Sequence, residues 1–368
     1  MRDLKNFFKQ LDYVLIAVVL LLAGIGILMI ASATKSEPGN RQLLVQSIAV
    51  GLGIVLMLVV SMIDYESYTG FSKLLYIGSI CVLVFVLIFG QGKAETGANS
   101  WIRVGGIGIQ PSELVKIAFC ITFSIQLSKN HESINAPKTL CKLLLFFSVL
   151  AGLVVLQNDT GTALVFLFMC LCMLFAAGLS YKYIIAAIIS VAAFMPFAFF
   201  VLMKPYQRER ILVFFNPERD ATGSGYQVLQ SKIAIGSGEF LGRGYMQGPQ
   251  NQLGMLPEKE TDFIFGVIGE EFGFIGCVII MILLLILIIR CIHNGLQAKD
   301  SLGSFMCIGI AAMYIFHTFE NIMMCIGLMP VTGIPLPFLS YGGSSVLTNF
   351  IAVGLVLSVR ARRRSLRF

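Results

Sequence analysis

Five carboxylates, Glu258, Glu260, Asp262, Glu270 and Glu271, lie within fourteen residues of the segment LPEKETDFIFGVIGEEFG (256–273). The segment runs without a break into a stretch apolar enough to cross a membrane. A carboxylate at such a boundary can accept a proton from a hydroxyl, help to hold a cation or cap a helix. Pro257 ends the preceding segment and Asp262 falls where a helix would begin, so an N-cap is the plainest reading of Asp262 taken alone. A single cap does not call for four further acids. Glu258 and Glu260 are placed to tune the field at Asp262 or to share a cation. Glu270 and Glu271 fall about 12–14 Å further along the helix at 1.5 Å per residue; inside a bundle they need structural partners or a buried polar network. Gly266, Gly269, Gly273 and Gly276 form a small-residue stripe along which a neighbouring helix can come close.

Other segments carry their own chemistry. IQPSELVKIAF opens a helix with Pro111 in its first turn and Glu113 where the dipole favours an acid, and Lys116 follows at i+3 on the same face. An ionisable pair one turn inside a membrane marks either a functional site, here one suited to an anionic headgroup, or a structural ion pair between helices. KPYQRERILVFFNPERD brings Lys204, Arg208 and Arg210 together within seven residues. Such cations suit phosphate oxygens; the alternative is a solvated loop with snorkelling side chains. In NSWIRVGG the only tryptophan, Trp101, stands beside Arg103, as an interfacial anchor or a platform for a sugar ring. Asp159 in QNDTGT reads first as a helix cap. The glycine-rich stretch GSGEFLGRGYMQGPQNQLG implies a flexible or sharply turned backbone, but GxxxxGK[ST] is absent and nucleotide binding is unsupported. His131 and His293 fall in loops and His317 lies within a helix with Glu320 at i+3; no metal-binding spacing appears.

The elements that position these residues follow from composition. Hydrophobic residues make up 57% of the 368-residue chain and charged residues 13%, with a mean hydropathy of +0.85, too little polar surface for a soluble globule. The reading is an all-α polytopic membrane protein. Runs able to span about 30 Å of hydrocarbon number ten: near 12–33, 42–62, 73–89, 113–128, 142–157, 161–179, 183–203, 263–290, 302–327 and 345–359. The first is longer than a signal-peptide core and reads as a retained helix. Short-loop cations (Arg2, Lys5, Lys9; Lys129, Lys138, Lys142; Lys182; Arg290, Lys299; the arginines of RARRRSLRF) alternate onto one side, which places both termini in the cytoplasm. The other side receives 34–41, 90–112, 157–160, the large loop 204–262 and 328–344, so polar chemistry crowds the outer face. No repeat or long linker divides the chain, and residues 1–368 are taken as one integral-membrane domain. The nine cysteines lie in or beside apolar runs and read as small buried hydrophobes. The net charge of +7 is largely the tail's Arg360, Arg362, Arg363, Arg364 and Arg367, and calls for no nucleic acid.

Taken together, WIRVGG-IGIQPSELVK, QNDTGTA, YQRERILVFFNPE, GSGYQVLQSKIAIGSGEFLGRG, LPEKETDFIFGVIGEEFGFIG and GIPLPFLSYGGSS resemble the SEDS family (shape, elongation, division and sporulation) in order and spacing, from about residue 12 to 359. GPQNQLGMLPEKETDF and MPVTGIPLPF are closer to the elongation branch, RodA, than to the division branch, FtsW. The resemblance implies a ten-helix fold and a peptidoglycan glycosyltransferase that polymerises lipid II at the outer face of the bacterial cytoplasmic membrane. It implies a class B penicillin-binding transpeptidase and other elongation-complex membrane proteins as partners, and it puts the essential aspartate at Asp262.

The residues supply a mechanism for that expectation. A sugar hydroxyl must lose a proton as it attacks an anomeric carbon, and Asp262 is the candidate general base. The leaving lipid diphosphate needs cations, with Lys116, Arg208 and Arg210 as candidates and Arg103 a weaker one. Glu113, Trp101 and Asp159 complete the candidate substrate site. A divalent cation, magnesium or manganese, is compatible with the chemistry, though no dedicated metal motif appears. Two alternatives stand beside this: a transporter that flips the lipid-linked precursor, which Glu113, Lys116 and Glu320 would also serve, and an FtsW-type or sporulation paralogue. A scaffold that merely recruits the transpeptidase leaves the clustered carboxylates without a role.

Overall fold

The structure, a computed structural model, describes residues 9–35, 39–92, 99–104, 107–203, 205–216, 219–220 and 223–363. Arg2, Lys5, Lys204, Arg364 and Arg367 lie outside them. Every apolar run found in the sequence is a helix: α1 (Tyr13–Ala33), α2 (Arg41–Met62), α3 (Tyr68–Phe89), α4 (Pro111–Asn130), α5 (Pro137–Leu156), α6 (Thr160–Ala176) and α7 (Tyr181–Phe197) come first. The large loop then carries three more, α8 (Pro205–Phe215), α9 (Ser224–Ser237) and α10 (Pro249–Gln252), before α11 (Ile264–Leu296), α12 (Ser301–Cys325) and α13 (Gly343–Ala361). A hairpin of β1 (Ile102–Val104) and β2 (Ile107–Ile109), paired antiparallel with Arg103 opposite Gly108, leads into α4.

Among the described residues seven helices are long and apolar enough to cross a membrane: α1, α2, α3 with the turn before it, α5, α11, α12 and α13. The other three runs differ for plain reasons. α4 is long enough but carries Glu113, Lys116 and Lys129, while α6 and α7 have 17 residues each. α7 contains Pro196 and continues as one wider π turn, Ala198–Leu202, the distortion expected where a proline removes a helical hydrogen bond.

Burial runs against hydropathy. The most apolar windows, in α1 (3.1) and α11 (3.3), are 44% and 28% buried by protein, whereas α12 (1.6) and α13 (1.5) are 67% and 78% buried. In a bilayer the lipid-facing helices must be apolar all round, and only the enclosed ones can carry polar side chains. α4, α12 and α13 form the centre, with α13 against α2 and α12 between α4, α6 and α11.

The two ends of the bundle differ. At one end several charges are paired: Asp12 caps α1 and meets Arg290 (2.7 Å), Lys299 meets Glu66 (2.6 Å), Arg362 meets Asp64 (3.3 Å), and Tyr65 donates to Asp300 (3.0 Å). The other end gathers the β-hairpin, α8 to α10, Asp262 and the connection 326–342 between α12 and α13.

At that second end α11 is broken. Gly273 has φ +64 and ψ −158, a conformation suited to glycine. The amides of Phe274 and Ile275 turn to the carbonyls of Glu239 (2.9 Å) and Phe240 (3.3 Å), while Arg243 and Gly244 donate to those of Glu270 (2.9 Å) and Glu271 (3.0 Å). The glycine-rich stretch is therefore sharply turned and stitched into the break by backbone hydrogen bonds. Gly266 and Gly269 do admit a close neighbour, α9: an added Cβ would stand 3.0 Å from Ser231 Oγ or 2.9 Å from Ile235 Cγ1.

Candidate active site at one end of the bundle

Three aspartates at helix starts turn their carboxylates back onto backbone amides: Asp12 onto Leu15 (3.1 Å), Asp159 onto Thr162 (3.0 Å) and Asp300 onto Gly303 (2.8 Å). Asp262 does not. The residue that caps α11 is Phe263, with no side-chain cap bond, and among the described residues the Asp262 carboxylate makes no hydrogen bond. It is half-buried, and Oδ2 stands 3.3 Å from where a Cβ on Gly333 would be. Burial, and then the neighbouring charges of Glu258 and Glu260 set against that of Arg210, push its pKa from 3.8 up to about 7. Its backbone is held firmly, since the Asp262 carbonyl accepts from Asn321 Nδ2 at 2.8 Å and from Cys325 Sγ at 3.6 Å.

The connection 326–342 lies against one face of α12, where His317, Glu320 and Asn321 at i, i+3 and i+4 each take hold of it. His317 Nδ1 lies 3.1 Å from the Pro335 carbonyl, Thr332 Oγ1 donates to Glu320, and Asn321 Nδ2 donates to the Ile334 carbonyl (2.8 Å). Glu320 is fully buried, with Oε2 unpartnered among the described residues. The Thr332–Gly333 turn thus touches both Glu320 and Asp262. Tyr341 N donates to the Glu260 carbonyl (2.7 Å), fastening the far end of the connection to the acidic segment.

From His317 a polar chain continues inward. Its Nε2 lies 2.9 Å from Lys116 Nζ, which also pairs with Glu113 at 2.8 Å. Lys116 is 1% exposed, so its ammonium belongs to the bundle centre and ties α4 to α12. Gln110, just before α4, donates to Asp159 (2.8 Å) and joins the starts of α4 and α6.

The remaining candidates lie apart from this column. Arg208 is spent on α7: Nε donates to the Met203 carbonyl (3.0 Å) and a terminal nitrogen to that of Phe200 (2.9 Å), satisfying carbonyls left free by the π turn. Trp101 sits on the hairpin with its ring over Gly108, bridged through its backbone to Gln91, and Arg103 is exposed beside it. Arg210 is on α8, and its charge reaches Asp262. Glu270 and Glu271 do form a buried network: Glu270 accepts from the amides of Gln250 (2.7 Å) and Asn251 (3.0 Å), and Glu271 from Ser32 Oγ (2.5 Å) and Asn251 Nδ2 (2.8 Å). Among the described residues no three His, Cys, Asp or Glu side chains converge as a metal cage.

Sequence spacing named His317 without a role and Glu320 only for the transporter alternative, and placed neither of them at the candidate active site. Their i, i+3 placement within a largely apolar helix was the available signal; their partners, eighteen and twelve residues away in a proline-containing loop, were not visible locally.

Fold and site define a polytopic membrane protein whose raised-pKa carboxylate, unbonded among the described residues, lies at one end of the helix bundle. The chain belongs to the FtsW/RodA/SpoVE family of cell cycle proteins, the SEDS family, whose sequence profile covers residues 12–365. It is 37% identical over 364 residues to the peptidoglycan glycosyltransferase MrdB of Escherichia coli K12, spanning 98% of this chain and 97% of that one. It is 35% identical to a probable peptidoglycan glycosyltransferase FtsW of Geobacter metallireducens, spanning 97% and 96%. A solved peptidoglycan synthase complex, described as coordinating polymerization and crosslinking, contains a chain that superposes with a TM-score of 0.82 at 32% identity, covering 96% of this chain and 98% of that one. The rod shape determining protein RodA of Thermus thermophilus superposes with a TM-score of 0.71 at 26% identity, covering 96% and 98%.

Proposed function

We propose that this chain is a peptidoglycan glycosyltransferase of the bacterial cytoplasmic membrane, polymerising lipid II into glycan strands at the outer face during cell elongation. Asp262 is the general base. The observation that carries the assignment is its carboxylate: half-buried, unbonded among the described residues and raised to about 7, it suits a base working near neutrality.

In the reaction a sugar hydroxyl of one lipid-linked substrate gives its proton to Asp262 Oδ as its oxygen bonds to the anomeric carbon of another. The bond from that carbon to the diphosphate breaks, and the electron pair leaves with the lipid diphosphate. Positive charge must meet it; Arg210 is the candidate nearest in its electrostatic effect on Asp262. Lys116 supports the site from within, through His317 and the 332–335 turn. A divalent cation, magnesium or manganese, would supply further positive charge to the departing diphosphate. A class B penicillin-binding transpeptidase that crosslinks the new strand is the proposed partner. Transport of the precursor would need a polar path to the opposite end, and there Asp12, Glu66, Asp64 and Asp300 are engaged with Arg290, Lys299, Arg362 and Tyr65.

The test is polymerisation of lipid II by the purified chain with its partner. Asp262→Asn and Asp262→Ala are expected to abolish it while the protein stays folded. Glycan synthesis by either variant at the wild-type rate would remove Asp262 from the mechanism.

A further inference from the structure

Glu320 is fully buried in α12, and an ionisable side chain enclosed in a membrane helix is costly enough to point to a role. One of its oxygens accepts from the Thr332 hydroxyl, and Oε2 has no hydrogen-bond partner among the described residues. Thr332 is itself only half-buried, so its hydroxyl can turn to water and does not need a carboxylate for its own sake. What the contact adds is a fixed place for the chain around Thr332.

That stretch is enclosed on three sides. At the start of α6, a Cβ on Gly161 would lie 3.0 Å from the Thr332 carbonyl oxygen and 3.1 Å from Ile334 Cγ1. On α12, Asn321 Nδ2 donates both to the Ile334 carbonyl and to the Asp262 carbonyl, at 2.8 Å each. The third side is the Asp262 carboxylate, with Oδ2 3.3 Å from the Cβ position of Gly333. Asn321 therefore fixes the backbone of Asp262 relative to the turn, and the adjacent Glu320 fixes the residue next to Gly333. With no hydrogen bond of its own among the described residues, the Asp262 carboxylate takes its direction from the surfaces packed against it.

We propose that Glu320 is a positioning residue for Asp262: by holding the Thr332 hydroxyl it fixes the turn against which the Asp262 carboxylate lies. The proposal rests on the glycosyltransferase reading, in which that carboxylate receives the proton of the attacking hydroxyl. Glu320 is enclosed and touches no substrate, so its loss falls on kcat and leaves KM in place. Misplacing a reacting group by about 1 Å costs about 100-fold in rate.

The experiment uses the full chain with its partner and measures kcat and KM for lipid II in Glu320→Leu, Glu320→Gln, Thr332→Val and the double variant Glu320→Leu/Thr332→Val. The expected result is a kcat lower by about 10- to 100-fold in Glu320→Leu and in Thr332→Val, with KM unchanged. The double variant loses nothing further, and Glu320→Gln, whose amide oxygen still accepts from Thr332, recovers most of the rate. Wild-type kcat in Glu320→Leu overturns the proposal, as does a loss carried by KM or one that adds in the double variant. A Glu320→Gln variant as slow as Glu320→Leu also overturns it, by showing that the ionisation of Glu320 acts directly. If Glu320→Leu does not fold, Thr332→Val decides: a lowered kcat that Thr332→Ser restores upholds the proposal, and a wild-type kcat or a loss that Thr332→Ser leaves in place rejects it. Thermal unfolding supplies a reading independent of catalysis. The groups facing Asp262, namely Glu258, Glu260, Arg210, Glu320 and the Cys325 thiol, are the same in Thr332→Val. A released turn that admits water to the carboxylate therefore narrows the difference in unfolding temperature between Asp262→Asn and its parent at pH 8. That narrowing in a chain that makes no glycan would uphold the positioning and reject the glycosyltransferase reading; its absence there would reject both.

Discussion

Asp262→Asn separates the catalytic from the structural consequences of a carboxylate that is costly to charge. The change keeps the shape of the side chain and removes its ionisation. In the folded protein the carboxyl titrates near 7, against an ordinary value of 3.8, so folding favours its protonated form. The unfolded chain ionises there above about pH 4, and the penalty for keeping the folded carboxyl charged then grows with pH and is fully expressed above 7. The displacement corresponds to about 4 kcal/mol, an upper figure because water still reaches the half-buried group and screens it. The Asn variant is therefore expected to unfold at a higher temperature than wild type at pH 8, with a smaller gap at pH 5. Polymerisation by the wild type is expected to fall about tenfold per pH unit below 7, as the base is lost, while the variant is inactive throughout. Thermal unfolding and lipid II polymerisation between pH 5 and 8 measure both effects. Wild-type activity that is flat over that range, with no stabilisation in the Asn variant, would refute the assignment of a raised pKa to a working base.

Lys116→Met leaves Glu113 buried without its counter-charge and should cost about 3–5 kcal/mol, read as a lower unfolding temperature that the added change Glu113→Gln partly restores. Gly273→Ala should destabilise by about 1–3 kcal/mol from its positive φ alone, and more because a Cβ there runs into the Gly242 amide; an unfolding temperature equal to wild type would contradict the break in α11. Asp12 behaves in the opposite sense to Asp262. Burial raises its pKa, but the hydrogen bonds from Arg290, Asn294 and Leu15 outweigh this and hold it below 3.8. The stability it contributes is present above pH 4 and lost as pH falls through the lowered value, so Asp12→Asn should lower stability at pH 7 and narrow its gap from wild type in acid.

The helices were legible because ten long apolar runs leave little freedom about where helices form. What tertiary structure adds was not. The glycines of α11 suggested one close-packed stripe, and Gly266 and Gly269 do face α9. Gly273 instead breaks the helix, because residues 239–244 supply alternative backbone partners that no local pattern announces. Asp262 stood out by position, yet its sequence context fits a cap equally well; only the neighbouring fold determines that its carboxylate turns toward Gly333 and away from its own amides. Arg208 and Arg210, two residues apart on one helix, part company in space. One closes the carbonyl end of α7 and the other lines a cleft near the carboxylate.

The enclosure of the polar helices also bears on how the chain is built. A ribosome delivers α4, with Glu113 and Lys116, long before it delivers His317 on α12. Until then a charged face of α4 lacks the helix that sheathes it, in a solvent that penalises such exposure. A chain stopped short of residue 301 would retain its most lipid-compatible segments, α1 and α11, and yet present that face to the bilayer. The late helices are thus a condition for the middle of the protein to reside stably in the membrane, and an incomplete copy carries its own mark for membrane quality control.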